Sequence, residues 1–418
     1  MALTDTLGLP NTRGRGPLIV AQVVDALGTG LFLPFAVVYF HAAKGIPLTT
    51  VGLMLSAAAL LSLPAGPLAG PMIDRFGPRR VVIAGNLVRV LTFTGYVFTD
   101  VPWQLVLLVT LTLAGDSQFR PGAAALVAQV ADDGQRARWY AMERALRNVA
   151  LGAGGLLGSV LVTWGGTAGY TGVVALNAVS FLAASALVAT WHPPHTPAPL
   201  TAPAPAPAPA VKRAGYKEVL ADRAYLGVLS TVCVFALCDL ALTVLLSAYV
   251  IEARGLPSWQ PGVLFAINTV LVMLTQTMVA KAVEHHRRPR VLQVAAVLWA
   301  VSFLIFAAVP EGSAGPAFAA LVVGMVVFTA AELLQAPTSS ALTVAIAPEH
   351  LRGRYLGLEE LMWGVAKVLA PVVFTWLLTQ GPGLPWLALG ACCLAAVAVL
   401  NRLSRALPAR AVRETVDA

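Results

Sequence analysis

Long apolar runs separated by short polar segments dominate the chain. Reading the runs between clusters of charge gives twelve, at 18–40, 48–73, 79–99, 102–131, 137–163, 168–191, 223–251, 258–284, 290–309, 315–347, 353–380 and 383–401. A helix needs about 20 apolar residues to cross a bilayer. The runs are rich in Ala and Leu and lack the period-two alternation of barrel strands. The pattern therefore predicts twelve transmembrane helices.

Composition agrees with a chain surrounded by lipid. Of the 418 residues, 58% are hydrophobic and 11% are charged, whereas soluble domains carry about 25% charged residues. Polar side chains are too few to cover a soluble surface. The first run is longer than a signal-peptide core, contains Asp25 and lacks a small-residue cleavage site, so we interpret it as a retained span.

The net charge of +8 raises the question of a nucleic-acid partner, which the positions of the basic residues exclude. The tails and every second loop hold 21 of the 28 Lys and Arg residues, while Lys44 and Arg254 fall in the alternate loops. This bias is the positive-inside pattern. It predicts cytoplasmic N- and C-termini. The Ala-, Gly- and Arg-rich usage favours a bacterial source, so we expect the plasma membrane of a bacterium.

A Pro- and Ala-rich segment, HPPHTPAPLTAPAPAPAPAVKR at 192–213, divides the runs six and six. Such a sequence favours an extended, water-exposed conformation that cannot span a membrane. The predicted organisation is a cytoplasmic tail (1–17), a six-helix bundle (18–191), a cytoplasmic linker (192–222), a second six-helix bundle (223–407) and a cytoplasmic tail (408–418).

The two blocks of six runs resemble each other. An offset of 216 residues places Arg136 on Arg352 and Glu143 on Glu359 without a gap, and an offset of 210 places Asp74 on Glu284. Internal repeats are frequent in secondary transporters, whose site lies at the midplane between the halves. The predicted fold is an all-α integral membrane protein with twelve transmembrane helices in two pseudo-symmetric six-helix bundles.

Charge and glycine concentrate in the stretch GPLAGPMIDRFGPRRVV, residues 66–82. Its residues Gly70, Asp74, Arg75, Gly77, Arg79 and Arg80 match the loop motif that the major facilitator superfamily carries between its second and third spans. Over essentially the whole chain the sequence resembles this superfamily of secondary transporters. The stretch FRPGAAALVAQVADDGQRARWYAMERA, residues 119–145, is similar to its drug-efflux branch.

Each motif residue has an expected role. We expect Gly70 to allow close helix packing, Gly77 to adopt a positive φ, and Arg79 and Arg80 to bind headgroups. The resemblance implies that Asp74 latches the first half against the start of the eleventh span; the alternative is a topology anchor without a gating role. The candidate gating partners are Asp132, Asp133, Arg136, Arg138, Arg352 and Arg354.

Ionisable residues inside the runs are candidate site residues, because each costs about 2.5–3.5 kcal/mol at the bilayer centre. Asp25 shares one helical stripe with Thr29, Phe32 and Tyr39, which suits a cavity wall for an amphipathic substrate. Further candidates are Asp239 in the seventh run, the i, i+4 pair Asp116 and Arg120 in the fourth, and Glu332 with Gln335 in the tenth. Arg89, in the third run, has no acid near it in the sequence.

A proton-coupled transporter needs a carboxyl that loads and releases a proton near physiological pH. Asp25 is the first candidate because it stands alone in its span, followed by Asp239 and Glu332. The alternatives are a helix-packing hydrogen bond for Asp25 and a structural ion pair for Asp116 with Arg120. Gly152, Gly155 and Gly158, in the fifth run, predict a close helix approach.

The leading functional hypothesis is a proton-coupled exporter of amphipathic small molecules, working by alternating access as a monomer. One alternative is a proton-coupled importer of a sugar or organic anion; another is a non-transporting membrane sensor or scaffold. The sequence lacks HExxH, GxSxG and phosphate-loop motifs, which argues against an enzyme and against ATP as the energy source. An ion gradient therefore remains as the energy source, and the resemblance to the superfamily implies protons, with no cofactor or metal.

Overall fold

The computed structural model describes residues 15–130, 136–191, 216–348 and 351–406, and every regular element in these residues is helical. The helices are α1 (Gly16–Phe32), α2 (Leu48–Ser62), α3 (Ala65–Phe76), α4 (Pro78–Phe98), α5 (Pro102–Val130), α6 (Arg136–Thr190), α7 (Tyr216–Ala221), α8 (Arg223–Leu240), α9 (Gln260–Val283), α10 (Arg288–Ala307), α11 (Ala314–Ile346), α12 (Arg352–Gln380) and α13 (Leu384–Ala406). The all-α prediction is confirmed.

Nine helices in the described part of the chain are long and apolar enough to cross a membrane, or ten when the bent pair α2 and α3 counts as one span. The fifth and sixth predicted runs both lie in α6, which breaks at Gly166 (φ 53°, ψ −131°). The fourth run is α5, whose 29 residues extend over about 44 Å. These elements are consistent with the twelve predicted spans.

Several spans are less regular than the apolar pattern indicates. The second bends by 43° between α2 and α3, where Pro64 follows the end of α2. Proline removes a backbone donor and clashes with the preceding turn, so a bend at this position is expected. The first span continues beyond α1 through a 3₁₀ turn and ends in a π-helical turn, Tyr39–Ala43.

Contacts divide the chain into two units. The first contains the described residues of Met1–Leu200 and Pro257–Val270, and the second contains those of Thr201–Leu256 and Leu271–Ala418. In the first unit α6 packs on α1 and α4, and α4 packs on α5. In the second unit α10 packs on α11 and α13, and α8 packs on α12. The predicted bundle and linker boundaries stay predictions, and 192–215 lie outside the described residues.

Glycines on two faces of α6 let neighbouring helices approach closely in the first unit. A Cβ at Gly158 would lie 2.6 Å from the Leu31 carbonyl oxygen of α1. On the other face a Cβ at Gly155 would lie 2.9 Å from the Phe265 ring of α9, and one at Gly152 would lie 3.2 Å from Thr269. The predicted close approach at these glycines is therefore confirmed.

The 210-residue offset of the sequence recurs as matching contacts inside each unit. The Tyr39 hydroxyl donates to the Tyr96 carbonyl at 2.9 Å, and the Tyr249 hydroxyl donates to the Phe306 carbonyl. Tyr249 and Phe306 lie 210 positions beyond Tyr39 and Tyr96, respectively. The two units therefore share local structure as well as an apolar pattern.

The turn that follows each of these tyrosines repeats in the same way. Lys44 donates to the Val97 carbonyl at 3.0 Å, and Arg254, 210 residues later, donates to the Ala307 carbonyl at 3.3 Å. The residues that follow, Gly45 and Gly255, have positive φ angles of 67° and 60°. Residues other than glycine avoid this conformation. These matches support the predicted pseudo-symmetry of the two repeats.

Candidate functional site

A buried ion pair joins α1 to α4 in the first unit. The Arg89 guanidinium donates from Nη1 to Asp25 Oδ1 at 2.8 Å, and the two side chains are 3% and 2% exposed. The same nitrogen donates to Asn86 Oδ1 at 2.9 Å, and Nη2 lies 3.3 Å from Thr29 Oγ1. Asp25 is therefore the acid partner of Arg89, which the sequence alone did not indicate.

Close helix packing and aromatic rings fix the position of Arg89. A Cβ on Gly115 of α5 would lie 2.8 Å from the Gly85 carbonyl of α4 and 3.1 Å from Arg89 Cγ, so glycine allows the two helices to meet here. The guanidinium lies 3.6 Å from the centre of the Phe181 ring and 5.2 Å from that of Phe119. Cation–π attraction to these two rings therefore stabilises the charge.

Asp116 is the second acid beside Arg89. Its Oδ1 lies 3.8 Å from Arg89 Nη2, and its side chain is 44% exposed. The predicted pairing of Asp116 with Arg120 is wrong within the described residues, where the cation within 4 Å of Asp116 is Arg89 and Arg120 is exposed. The i, i+4 rule considers one helix alone, whereas the glycine contact between α4 and α5 brings Arg89 closer.

Arg147 of α6 completes the charged group. It lies within electrostatic reach of Asp25, Asp116, Arg89 and Arg120, and Glu143, one turn earlier on α6, interacts with it. The first unit thus gathers acids and arginines from four helices around Asp25, and Asp116 is the more exposed of its two central acids. We call Asp25, Arg89, Asp116 and Arg147 the polar cluster.

The aromatic stripe beyond Asp25 packs inside the first unit. The Phe32 ring lies 4.9 Å from the Phe93 ring, and Tyr39 lies 5.1 Å from Phe40, centre to centre. Tyr39 is only 1% exposed. The stripe therefore does not form the open cavity wall that was expected; its aromatic faces are covered by neighbouring helices.

The second unit carries an apolar pair at the positions equivalent to the ion pair. Adding 210 to Asp25 and Arg89 gives Phe235 and Trp299, whose ring centres lie 5.5 Å apart in the second unit. At the same offset Asp239 corresponds to Thr29, one helical turn beyond Asp25. Asp239 lies near the end of α8, directly before the π-helical turn Ala241–Leu245.

The remaining cavity candidates lie on α11. Gln335 is buried and Glu332 is half-buried on the same helix. Their role in a substrate cavity stays a prediction.

The loop between α3 and α4 agrees with its motif in part. Gly77 has φ 80°, as predicted. Arg79 donates to the Val188 carbonyl at 3.2 Å and to the Ala189 carbonyl, so it caps the end of α6, whereas headgroup contact had been expected. The prediction for Gly70 is wrong within the described residues, none of which a Cβ there would meet within 4 Å.

The other gating candidates are only partly described. Asp74, Arg75, Arg80 and Arg352 are exposed, and Arg354 is half-buried. Asp132 and Asp133 lie outside the described residues, and Arg136 and Arg138 are described only as the start of α6. The gating roles of these residues therefore stay predictions.

The start of α12 is held within the second unit by tyrosines. The Tyr355 hydroxyl donates to Asp222 Oδ2 at 2.9 Å, and the Tyr225 hydroxyl donates to the Tyr355 carbonyl. Asp222 also caps α8 by accepting from the Tyr225 backbone nitrogen. These contacts fix the segment on which the predicted latch would act.

Comparison with known proteins establishes the family. The family model described as Major Facilitator Superfamily matches residues 18–283 and 258–416. The chain belongs to the Major Facilitator Superfamily. The resemblance inferred from the loop motif and the repeat is thereby confirmed, and so is the expectation of a multi-pass membrane transporter rather than an enzyme.

This superfamily member has relatives named for drug resistance. It is 24% identical over 386 residues to the multidrug resistance protein MdtH of Klebsiella pneumoniae (strain 342), covering 90% of this chain and 91% of the relative. It is 23% identical over 385 residues to the multidrug resistance protein MdtH of Escherichia coli (strain K12 / DH10B), covering 90% of each.

Solved structures show the same fold. The nucleoside transporter NupG aligns with a TM-score of 0.71 at 13% identity, covering 94% of this chain and 98% of that one. A structure from a study of substrate recognition in proton dependent oligopeptide transporters aligns with a TM-score of 0.71 at 16% identity, covering 95% and 100%. At these identities the likeness concerns the fold alone.

Proposed function

We propose that this superfamily member exports amphipathic small molecules in exchange for protons. The observation that carries the proposal is the buried ion pair of Asp25 with Arg89. Ionisable groups are costly inside a membrane protein and mark ion pathways and substrate sites. A carboxylate held by one cation changes its interactions completely when it takes up a proton, which is what a coupling residue must do.

The polar cluster also fits the proposed substrate class. Its Arg89 guanidinium lies 3.6 Å from the centre of the Phe181 ring, so charge and aromatic surface occur together in one unit. Amphipathic molecules need both kinds of surface. The relatives named multidrug resistance protein MdtH support efflux over uptake.

The same proposal includes the energy source and the setting. A proton gradient drives export without a bound cofactor, in a monomer embedded in the lipid bilayer of a bacterial plasma membrane. The N- and C-termini lie in the cytoplasm, as the distribution of Lys and Arg indicates.

Proteoliposomes with a pH gradient and an internal pH dye test the proposal. We expect lipophilic cations or neutral drugs to collapse the gradient, and Asp25→Asn to abolish the response. Asp100→Asn is the matched control, because Asp100 is an exposed acid of the same unit that pairs with Lys44 at 2.8 Å. A response to sugars or organic acids alone would favour the importer. Wild-type rate and pH dependence in Asp25→Asn would remove Asp25 from the coupling step.

A further inference from the structure

We propose that Arg89 exchanges between two acids and thereby couples a proton to an organic cation. Arg89 pairs with Asp25 while that carboxylate is ionised, leaving Asp116 free to bind a cationic group of the substrate. When Asp25 takes up a proton, Arg89 moves to Asp116 and displaces the substrate. This inference rests on the proposed function and names its substrate class, amphipathic organic cations.

The geometry of Arg89 fits an exchange. Nη1 makes the short contacts to Asp25 and Asn86, at 2.8 and 2.9 Å. Within the described residues, Nη2 has one long hydrogen bond, to Thr29 at 3.3 Å, and lies 3.8 Å from Asp116. Charge-assisted hydrogen bonds measure about 2.7–2.9 Å, so an approach of roughly 1 Å would complete a pair with Asp116.

Exposure distinguishes the two acids. The Asp25 side chain is 2% exposed, whereas that of Asp116 is 44% exposed. A bulky cation can therefore approach Asp116 and is excluded from Asp25, while a proton can reach either. The proton binds Asp25 and the organic cation binds Asp116, so the two do not compete for the same oxygen atoms. They compete because Arg89 can pair with only one of the two acids at a time.

The surrounding charges allow the exchange without leaving a buried charge alone. The groups that face Asp25 are Arg89 from α4, Asp116 from α5 and Arg147 from α6. After protonation Asp25 is neutral and Arg89 is balanced by Asp116. Arg147 lies within electrostatic reach of Asp116 and Glu143, so it keeps acids near it when Asp25 is neutral.

The second unit shows that this position does not need charge in order to fold. Its equivalent residues, Phe235 and Trp299, form an aromatic pair. Replacing a buried ion pair with apolar residues of similar volume is often neutral or stabilising. Stability alone therefore does not require the charges at Asp25 and Arg89, which favours a role for them in transport.

Binding of radiolabelled tetraphenylphosphonium to the purified full chain tests the exchange between pH 5.5 and 8.5. We expect wild-type binding to weaken as the pH falls. In Asp25→Asn, Arg89 stays on Asp116, so binding drops by about tenfold, the effect of roughly one lost charge contact, and becomes independent of pH. Asp116→Asn loses binding, and Asp116→Glu retains it.

The decisive variant is the double substitution Asp25→Phe with Arg89→Trp, which copies the pair of the second unit. It removes both Asp25 and the competitor for Asp116, so we expect tight binding at every pH and no proton coupling. Weak binding by this correctly folded variant would overturn the exchange, since it would place the cation at Asp25 itself. Asp100→Asn should bind as the wild type does.

The outcomes separate this inference from the proposed function. Wild-type binding that does not change with pH would overturn the exchange. Proton flux driven by neutral drugs in the proteoliposomes, lost in Asp25→Asn, would still support proton-coupled efflux in that case.

Discussion

Arg89 is the residue on which the polar cluster depends, because it alone among the described side chains contacts both central acids within 4 Å. Its replacement by methionine keeps most of the side-chain volume and leaves Asp25 without its cation. Removing one partner of a buried pair costs about 3–5 kcal/mol. Asp25 can offset part of this cost by taking up a proton, which is easier at low pH.

We therefore expect Arg89→Met to lower the thermal unfolding midpoint in detergent, and to lower it more at pH 8 than at pH 5. Tryptophan fluorescence during heating measures the midpoint at both pH values. Arg120→Met is the control, because Arg120 is an exposed arginine on the adjacent helix, and we expect little change. An equal loss at both pH values would contradict the assignment of Asp25 as the group left uncompensated.

Arg89 also marks the limit of sequence-based prediction at the residue scale. Its intramembrane position and charge identify it as a candidate, but its partner Asp25 is 64 residues away. Periodicity relates residues of one helix only, so it paired Asp116 with Arg120 and left Arg89 unexplained. An inventory of unpaired charges across spans would have suggested Asp25 and Arg89 as one possible pair among several.

At the scale of elements, helix boundaries follow closely from the apolar runs. The runs at 79–99 and 353–380 correspond to Pro78–Phe98 and Arg352–Gln380. The irregularities were missed, although Pro64 and Gly166 stand at the bend and the break. The π-helical turns could not be predicted, because this helix type is rare and the apolar pattern does not mark it.

Packing of α6 on α1 depends on the absence of side chains at Gly154. A Cβ there would lie 2.8 Å from the Leu31 backbone nitrogen and 3.0 Å from the Gly30 carbonyl carbon. Overpacking of this kind costs about 1–3 kcal/mol, and backbone atoms cannot move aside as a flexible side chain can. We expect Gly154→Ala to lower the unfolding midpoint by several degrees in a fluorescence melt.

The control for that substitution lies on the same helix. A Cβ at Gly172 would meet nothing within 4 Å, so Gly172→Ala should be neutral or stabilising, by up to about 1 kcal/mol from helix propensity. Equal effects of the two substitutions would mean that propensity and not close packing determines the result at Gly154.

At the scale of the whole molecule, the two repeats share several local contacts and differ at the positions of the buried ion pair. The tyrosine contacts and the glycine turns match at an offset of 210 residues. The central positions hold Asp25 and Arg89 in one repeat and Phe235 and Trp299 in the other. The two repeats therefore share local structure but differ at the residues on which the proposed proton coupling depends.

The matching turns also bear on orientation. Lys44 and Arg254 are the basic residues of the loops predicted to face outward, and each is paired with an acid there. Lys44 lies 2.8 Å from Asp100, and Arg254 lies 2.9 Å from Glu311. The positive-inside rule counts Lys and Arg and not net charge, so these two cations remain a minority beside the 21 basic residues of the tails and loops predicted to be cytoplasmic.

Cysteine labelling tests this orientation directly. In a parent in which the four native cysteines are replaced by alanine, we expect a membrane-impermeant maleimide to label Ser313→Cys in intact cells. Glu284→Cys should react only after permeabilisation, because its loop is predicted to be cytoplasmic. Both positions are exposed and lie at opposite ends of α10, so they differ in the side of the membrane and not in accessibility. The reverse pattern would invert the topology, and with it the direction in which a proton gradient could drive export.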